Sequence, residues 1–396
     1  MGELLDSCSG EIEFKDISIE FYSDSINLRN VIVKDLAFDS RAVVKGSLFF
    51  ALPGTHTSGT RFVAQAIQNG ASAVVLQDDF SLSEKQNLKE ILKNTGQKVA
   101  FLRVPDSRFS MAPISAAFYD YPSRNLVIFG VTGTEGKSST VSFIWQLLKK
   151  SEIKAGFIST VQYSLGDEAI ANPEHQTTPE APIIQKRLYE MLENGCIAAV
   201  LESSSHGLSV KTNRLGNVDF DCSVFMNVTL EHLEFHKTYE QYKSDKANLF
   251  RALDSSNHTK NIAGKTQTLH SFGIVNLEDP AAPYFASCTK SEVVGFATKD
   301  TAFKTEKMLL AKNIKAERYG ISFNIEDFCV KAPLPGSFNA YNLMAALLAI
   351  SGIFDIPYKN LIPLAETLEP VKGRMTVVDA GQTFEVIVDY AHTPSS

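Results

Sequence analysis

At 396 residues, 44% of them hydrophobic and 21% charged, the chain is long enough for two or three globular domains. A net charge of −7 without a long basic run argues against nucleic acid as a partner. Five scattered cysteines with no C-x-x-C argue against a disulfide framework or a zinc site, and the N-terminus does not read as a signal peptide; no stretch approaches the ~18 apolar residues of a membrane span.

In chain order, residues 1–120 alternate short apolar runs with polar turns, the pattern of a small α/β unit. Within it, Ser47–Gly54 (SLFFALPG) predicts a buried strand closed by Pro-Gly. Thr60–Asp79 predicts a helix, a glycine stop and a strand. Tyr119–Asn125 (YDYPSRN) reads as a linker. NLVIFGVTG then opens a strand, and SSTVSFIWQLLKKS follows with helical spacing. Cys196–Leu208 and Asp219–Thr229 carry apolar runs that end in polar turns, as strands buried on both faces do. APIIQKRLYEMLENG is helical. Residues 256–330 are less regular, with short β-like stretches; Asn339–Phe354 predicts a helix, and FEVIVDYAHTPSS begins another strand. The alternation predicts an α/β fold with a central parallel sheet carrying helices on both faces.

The segment Ile128–Thr140 (IFGVTGTEGKSST) lies between a strand and a helix. It departs from G-x-x-x-x-G-K-[ST], because Val131 stands where the first glycine belongs. Gly130, Gly133 and Gly136 still allow a tight path whose backbone N–H groups, with the helix N-terminus, can face a phosphate. Lys137 can reach the β/γ-phosphates and Ser138 can hold Mg²⁺. A dinucleotide fold leaves the Lys-Ser pair unexplained. Glu202 and His232 end two other apolar runs, so three strand-to-turn junctions deliver polar groups to one sheet edge. Glu202 is a hard oxygen donor suited to Mg²⁺, or a solvated turn carboxylate. His232 is equally a hydrogen-bonded structural histidine.

These residues carry a resemblance. GVTGTEGKSS, LESSSHGL, NVTLEHLEFH, LPGSFNAYNLMAA, GRM and VDYAHTP stand in the order of the Mur ligase motifs, from Gly130 to Pro394. The N-terminal DSR, LFFALPG and AIQNGASAVV, and HQTTPE further on, resemble the MurE type, whose members add the third residue of a peptidoglycan stem peptide. The resemblance implies a UDP-sugar-binding domain over 1–122, an ATP-binding, P-loop ATPase-like ligase domain over 123–384, and at 385–396 only the start of a third domain.

By position, the resemblance implies that Thr132, Gly133, Thr134, Glu135, Gly136, Lys137, Ser138 and Ser139 bind the ATP phosphates. Asn342 falls near the adenine end, with Arg374 and Asp389 on the nucleotide side. Ser138, Glu202, His232 and a carbamylated Lys246 would hold magnesium. Ser40, Thr177, Thr178, Ser204 and Arg214 would bind the UDP-MurNAc dipeptide, to which a free diamino acid is joined through an acyl phosphate. A cytoplasmic monomer with no nucleic-acid or membrane partner is expected. Read without the resemblance, Lys246 is a solvated helix lysine and Thr177-Thr178 ordinary turn residues before Pro179. Two departures stand out: Glu135 and Gln176 replace asparagines usual in the family. The competing expectation is a module that binds UDP-sugar and nucleotide without turnover.

Overall fold

The computed structural model describes residues 1–22, 26–54, 59–77, 81–174, 176–231 and 233–391. They form two compact units: Met1–Tyr121 with 180–186 and 210–217, and Pro122–Pro179 with 187–209 and 218–396. The first unit thus includes two segments that lie within the span expected for the central domain.

The first unit holds a five-stranded sheet of β1 (Lys15–Asp16), β2 (Asp35–Ala37), β3 (Ser47–Phe50), β4 (Ala73–Leu76) and β5 (Ala100–Arg103), in the order β1-β5-β4-β3-β2. β2 to β5 run parallel and β1 is antiparallel to β5. Its helices are α1 (Gly2–Cys8), α2 (Val63–Gln68), α3 (Leu82–Thr95) and α4 (Met111–Phe118). Strand alternation splits the apolar residues into two cores. Phe49, Val74 and Phe101 pack with Val63 and Ile67 of α2 and Leu88 and Leu92 of α3. Leu48, Phe50, Val75 and Leu102 pack with Leu5 of α1 and Met111 and Ile114 of α4. Both faces are covered, which is why β3 and β4 read as unbroken apolar runs.

The second unit is built on an eleven-stranded sheet. Its strands are β6 (Val127–Thr132), β7 (Ala155–Ile158), β8 (Gln162–Ser164), β9 (Ile170–Ala171), β10 (Ala198–Glu202) and β11 (Cys222–Phe225). After a separate hairpin of β12 (Thr259–Ile262) and β13 (Lys265–Thr268) come β14 (Phe272–Asn276), β15 (Glu292–Ala297), β16 (Met308–Glu317), β17 (Gly320–Ile325) and β18 (Phe328–Ala332). β19 (Thr376–Val378) and β20 (Val386–Val388) form a further antiparallel pair. The large sheet runs β18-β17-β16-β15-β14-β11-β6-β10-β7-β8-β9. From β16 to β7 it is parallel, and both margins are antiparallel, so the sheet is mixed rather than purely parallel.

Helices α5 (Lys137–Lys150), α6 (Ala181–Glu193), α7 (Ser205–Leu208), α8 (Leu233–His236), α9 (Tyr239–Ser255), α10 (Ala282–Ala286), α11 (Asn339–Phe354) and α12 (Tyr358–Ala365) complete the chain. Val127, Phe129 and Val131 of β6 face the core shared with α5 and α11. The opposite face of β6 meets α9: a Cβ on Gly130 would lie 2.5 Å from Leu249. That close approach requires glycine, and it places helices on both faces. β14 and β15, interior strands of the sheet, fall in the region that looked irregular. β14 is buried throughout, so it lacks the alternation that marks a half-exposed strand. Among the described residues no helix is long and apolar enough to cross a membrane.

Candidate active site

β6 delivers Thr132 to the carboxyl edge of the sheet, and the chain turns through Gly133–Gly136 into α5. Gly136 caps the helix at φ +83°, a left-handed conformation that costs glycine little. Across the turn lies Asn227, just beyond the end of β11. Its Oδ1 accepts from the backbone N–H of Thr134 (3.1 Å) and Glu135 (2.8 Å), and its Nδ2 donates to the Glu135 carbonyl at 3.2 Å. The clasp holds the turn ahead of α5, whose first N–H groups are of the kind that can face an anion.

Ser138 and Glu202 come together at this edge, with 3% and 2% exposure. The Ser138 hydroxyl donates toward both Glu202 carboxylate oxygens, at 3.1 and 3.0 Å. Thr160, beyond β7, donates to Glu202 from its backbone N–H (2.8 Å) and its hydroxyl (3.0 Å). Lys137 Nζ donates to the Thr134 carbonyl at 2.6 Å. Burial pushes its pKa down, against Glu202 and Glu135, which favour the charge.

Lys246 is not a solvated helix lysine: it is 2% exposed on α9, and its Nζ donates to the Gly133 carbonyl at 2.6 Å. Its ammonium lies 4.6 Å from the Tyr242 ring centroid, and the Tyr242 hydroxyl meets that of Thr134 at 3.1 Å. Burial, followed by repulsion from Lys137, drives the Lys246 pKa well below the ordinary lysine value.

The turn opens on a cavity of about 470 Å³, lined by Thr134 to Ser139 and by Asn342, Arg374 and Asp389, among others. Asn342 accepts from Thr140 Oγ1 at 3.2 Å through Oδ1 and donates to Asn339 at 2.9 Å. Arg374 reaches Ser138 Oγ at 3.4 Å, and among the described residues its buried Nε lacks a partner, as a guanidinium aimed at an anionic ligand would. Asp389 accepts from the Met375 N–H at 2.6 Å. Ser138 and Glu202 are oxygen donors that fit a hard divalent cation. Among the described residues no three or more His, Cys, Asp or Glu groups gather as a cage. A cation held by Ser138 and Glu202 would therefore complete its shell with phosphate oxygens and water, as Mg²⁺ does. His232 lies outside the described residues.

The residues expected to bind the sugar-peptide fall in both units. In the first, Ser40 donates to Gln65 at 2.6 Å, and Arg214 pairs with Glu180 at 3.1 Å, as Arg108 does at 3.0 Å. In the second, Thr178 Oγ1 donates to the Glu202 carbonyl at 2.8 Å and accepts from the Ser204 N–H at 3.0 Å. Ser204 caps α7 through Gly207 at 3.1 Å, and Thr177 is half-buried. Asn227, Thr160 and Tyr242 were not picked out from sequence. Asn227 alone carried a signal, as the polar residue that follows a buried strand.

Residues 131–350 match the family described as the Mur ligase middle domain, and residues 33–119 the one described as the Mur ligase family, catalytic domain. The UDP-N-acetylmuramyl-tripeptide synthetase of Treponema denticola is 48% identical over 367 residues, covering 90% of this chain and 65% of that protein. Its counterpart from Treponema pallidum is 42% identical over 392 residues, covering 92% of this chain and 69% of that protein. This chain thus spans about two thirds of the length of both. A solved UDP-N-acetylmuramoyl-L-alanyl-D-glutamate--2,6-diaminopimelate ligase shares the fold, with a TM-score of 0.70 at 24% identity over 95% of this chain and 71% of that one.

Proposed function

The chain belongs to the Mur ligase family, and from that premise we propose that it carries out ATP-dependent amide-bond formation in peptidoglycan precursor synthesis. The substrates are UDP-N-acetylmuramoyl-L-alanyl-D-glutamate and a free diamino acid, joined in the cytoplasm by a monomer. The observation that carries this reading is the meeting of the Lys137–Ser138 turn with Glu202 beside the cavity.

In this reading a D-glutamyl carboxylate oxygen attacks the γ-phosphorus of ATP, releasing ADP and leaving an acyl phosphate. The amine of the diamino acid then attacks the acyl carbon, and phosphate and a proton leave. The chain supplies placement and charge rather than a nucleophile. The N–H groups of Gly136 and the first turn of α5, with Lys137, hold the phosphates, and Arg374 offsets their charge. Ser138 and Glu202, with His232, hold magnesium, which supplies positive charge against the transferring phosphoryl group. Thr160 keeps the Glu202 carboxylate oriented. Ser40, Thr177, Thr178, Ser204 and Arg214 bind the UDP-linked dipeptide. Burial favours the neutral amine of Lys246, the form that adds CO₂ with loss of a proton. The product is an anionic oxygen donor in place of a cation.

The test combines the chain, ATP, Mg²⁺ and the UDP-linked dipeptide with lysine, meso-diaminopimelate or ornithine in turn. Phosphate release with a matching mass increase is the expected result. The competing reading is a binding module without turnover. Retained nucleotide and dipeptide binding with no product from any of the three amino acids would select it.

A further inference from the structure

We propose that Arg187 is a positioning residue for Glu202, acting through Asn172 and the turn at 159–161. Arg187 lies on the part of α6 that belongs to the second unit and is 6% exposed. Its guanidinium stacks on Tyr163 at 4.0 Å and forms no ion pair among the described residues. Among the described residues Nη1 is buried without a partner, and Tyr163, Glu174 and Glu190 favour the charge only through space. A buried cation without a counter-ion is costly, and apolar residues of similar size would serve packing better. Among the described residues its one side-chain hydrogen bond runs from Nη2 to Asn172 Oδ1, at 3.3 Å.

Asn172 brackets a single turn. Its Nδ2 donates to the Ser159 carbonyl at 2.8 Å, and its backbone N–H donates to the Val161 carbonyl at 3.0 Å. Thr160 stands between those two carbonyls and gives Glu202 both of its donors. The donation from Arg187 joins that of the Glu174 backbone N–H, at 3.2 Å, in holding the Asn172 oxygen away from Ser159. A reversed amide would set oxygen against the Ser159 carbonyl and release the turn. Arg187 thereby helps to hold the rotamer of Glu202 without touching any ligand. Partners of this kind tune metal affinity about 10–100-fold.

This inference rests on the reading of Glu202 as a cation ligand. It is tested by titrating Mn²⁺ in the presence of a non-hydrolysable ATP analogue, with free Mn²⁺ followed by electron paramagnetic resonance. Arg187→Met and Thr160→Val are each expected to weaken Mn²⁺ binding about tenfold. The double variant should be no weaker than the weaker single, because both act through one turn. Arg187→Lys, which keeps a donor, should recover part of the affinity. Unchanged Mn²⁺ affinity in folded Arg187→Met, or full additivity with Thr160→Val, would overturn the proposal. Should Arg187→Met not fold, Asn172→Ala carries the same expectation and the same refutation. Failure of the unaltered protein to bind Mn²⁺ with the analogue would instead overturn the nucleotide-site reading beneath it.

Discussion

Ser138 and Glu202, 64 positions apart in the chain, face each other at the carboxyl edge of the sheet, the hydroxyl within 3.1 Å of both carboxylate oxygens. The pair joins the start of α5 to the end of β10. Glu202→Gln keeps the shape and the Ser138 contact but removes the anionic charge. ATP-dependent phosphate release should fall about 10²–10³-fold, the scale of one preorganised electrostatic group. The melting temperature should stay close to that of the unaltered protein. Activity within a few-fold would remove Glu202 from the cation site.

Lys246→Ala should lose phosphate release and regain part of it when short carboxylic acids are added, because these can supply the missing anionic oxygens. In the unaltered protein, burial lowers the Lys246 pKa and favours the neutral amine, so added bicarbonate should stimulate activity. A fully active Lys246→Ala variant that needs no rescue would refute the carbamate role.

Gly136→Ala should weaken nucleotide binding and destabilise the fold by about 1–3 kcal/mol, the range for a side chain forced into left-handed backbone. The backbone sits at φ +83°, and the added Cβ would stand 2.7 Å from Asn342 Oδ1. Thermal melts with and without ATP separate the two effects. A variant with unaltered stability and nucleotide affinity would show that the turn tolerates a side chain.

His258 provides a pH-dependent brace far from the cavity. Its Nδ1 meets the buried Asp221 at 3.2 Å, and Asp221 also accepts from Lys260 and from the Ile128 N–H. The hydrogen bond to Asp221 raises the His258 pKa above its ordinary value. A raised folded-state pKa means that the stabilisation is complete below the unfolded value of about 6.5 and lost as pH rises through the folded pKa. The melting temperature of the unaltered protein should therefore exceed that of His258→Gln by more at pH 6 than at pH 8. An equal difference at both pH values would show that the pair contributes no proton linkage.

The elements legible in the sequence were those with a strong local signature. α11 was expected over Asn339–Phe354 and is found there. The strand–turn–helix at Val127–Lys150 follows from an apolar run, spaced glycines and a helical pattern. Residues 256–330 read only as short β-like stretches, so the bounds of β14 and β15 and the pairing of the antiparallel margins were not legible. A short strand buried on both faces has no alternation to read, and an edge partner is chosen by the strands already in the sheet rather than by its own residues.

The residue types of the site belong to the sequence alone: a glycine turn, a lysine and serine at a helix start, and a carboxylate at a strand end each carry local chemistry that could be read without coordinates. Only the tertiary structure decided the state of Lys246. Helix propensity and spacing leave a lysine facing water, whereas the crossing of α9 over Gly130 buries its amine against Gly133. The same holds for Asn227, Thr160 and Arg187, whose roles exist only through neighbours distant in the chain. Burial and hydrogen-bond partnership are properties of packing, and no window of sequence contains both sides of a long-range contact.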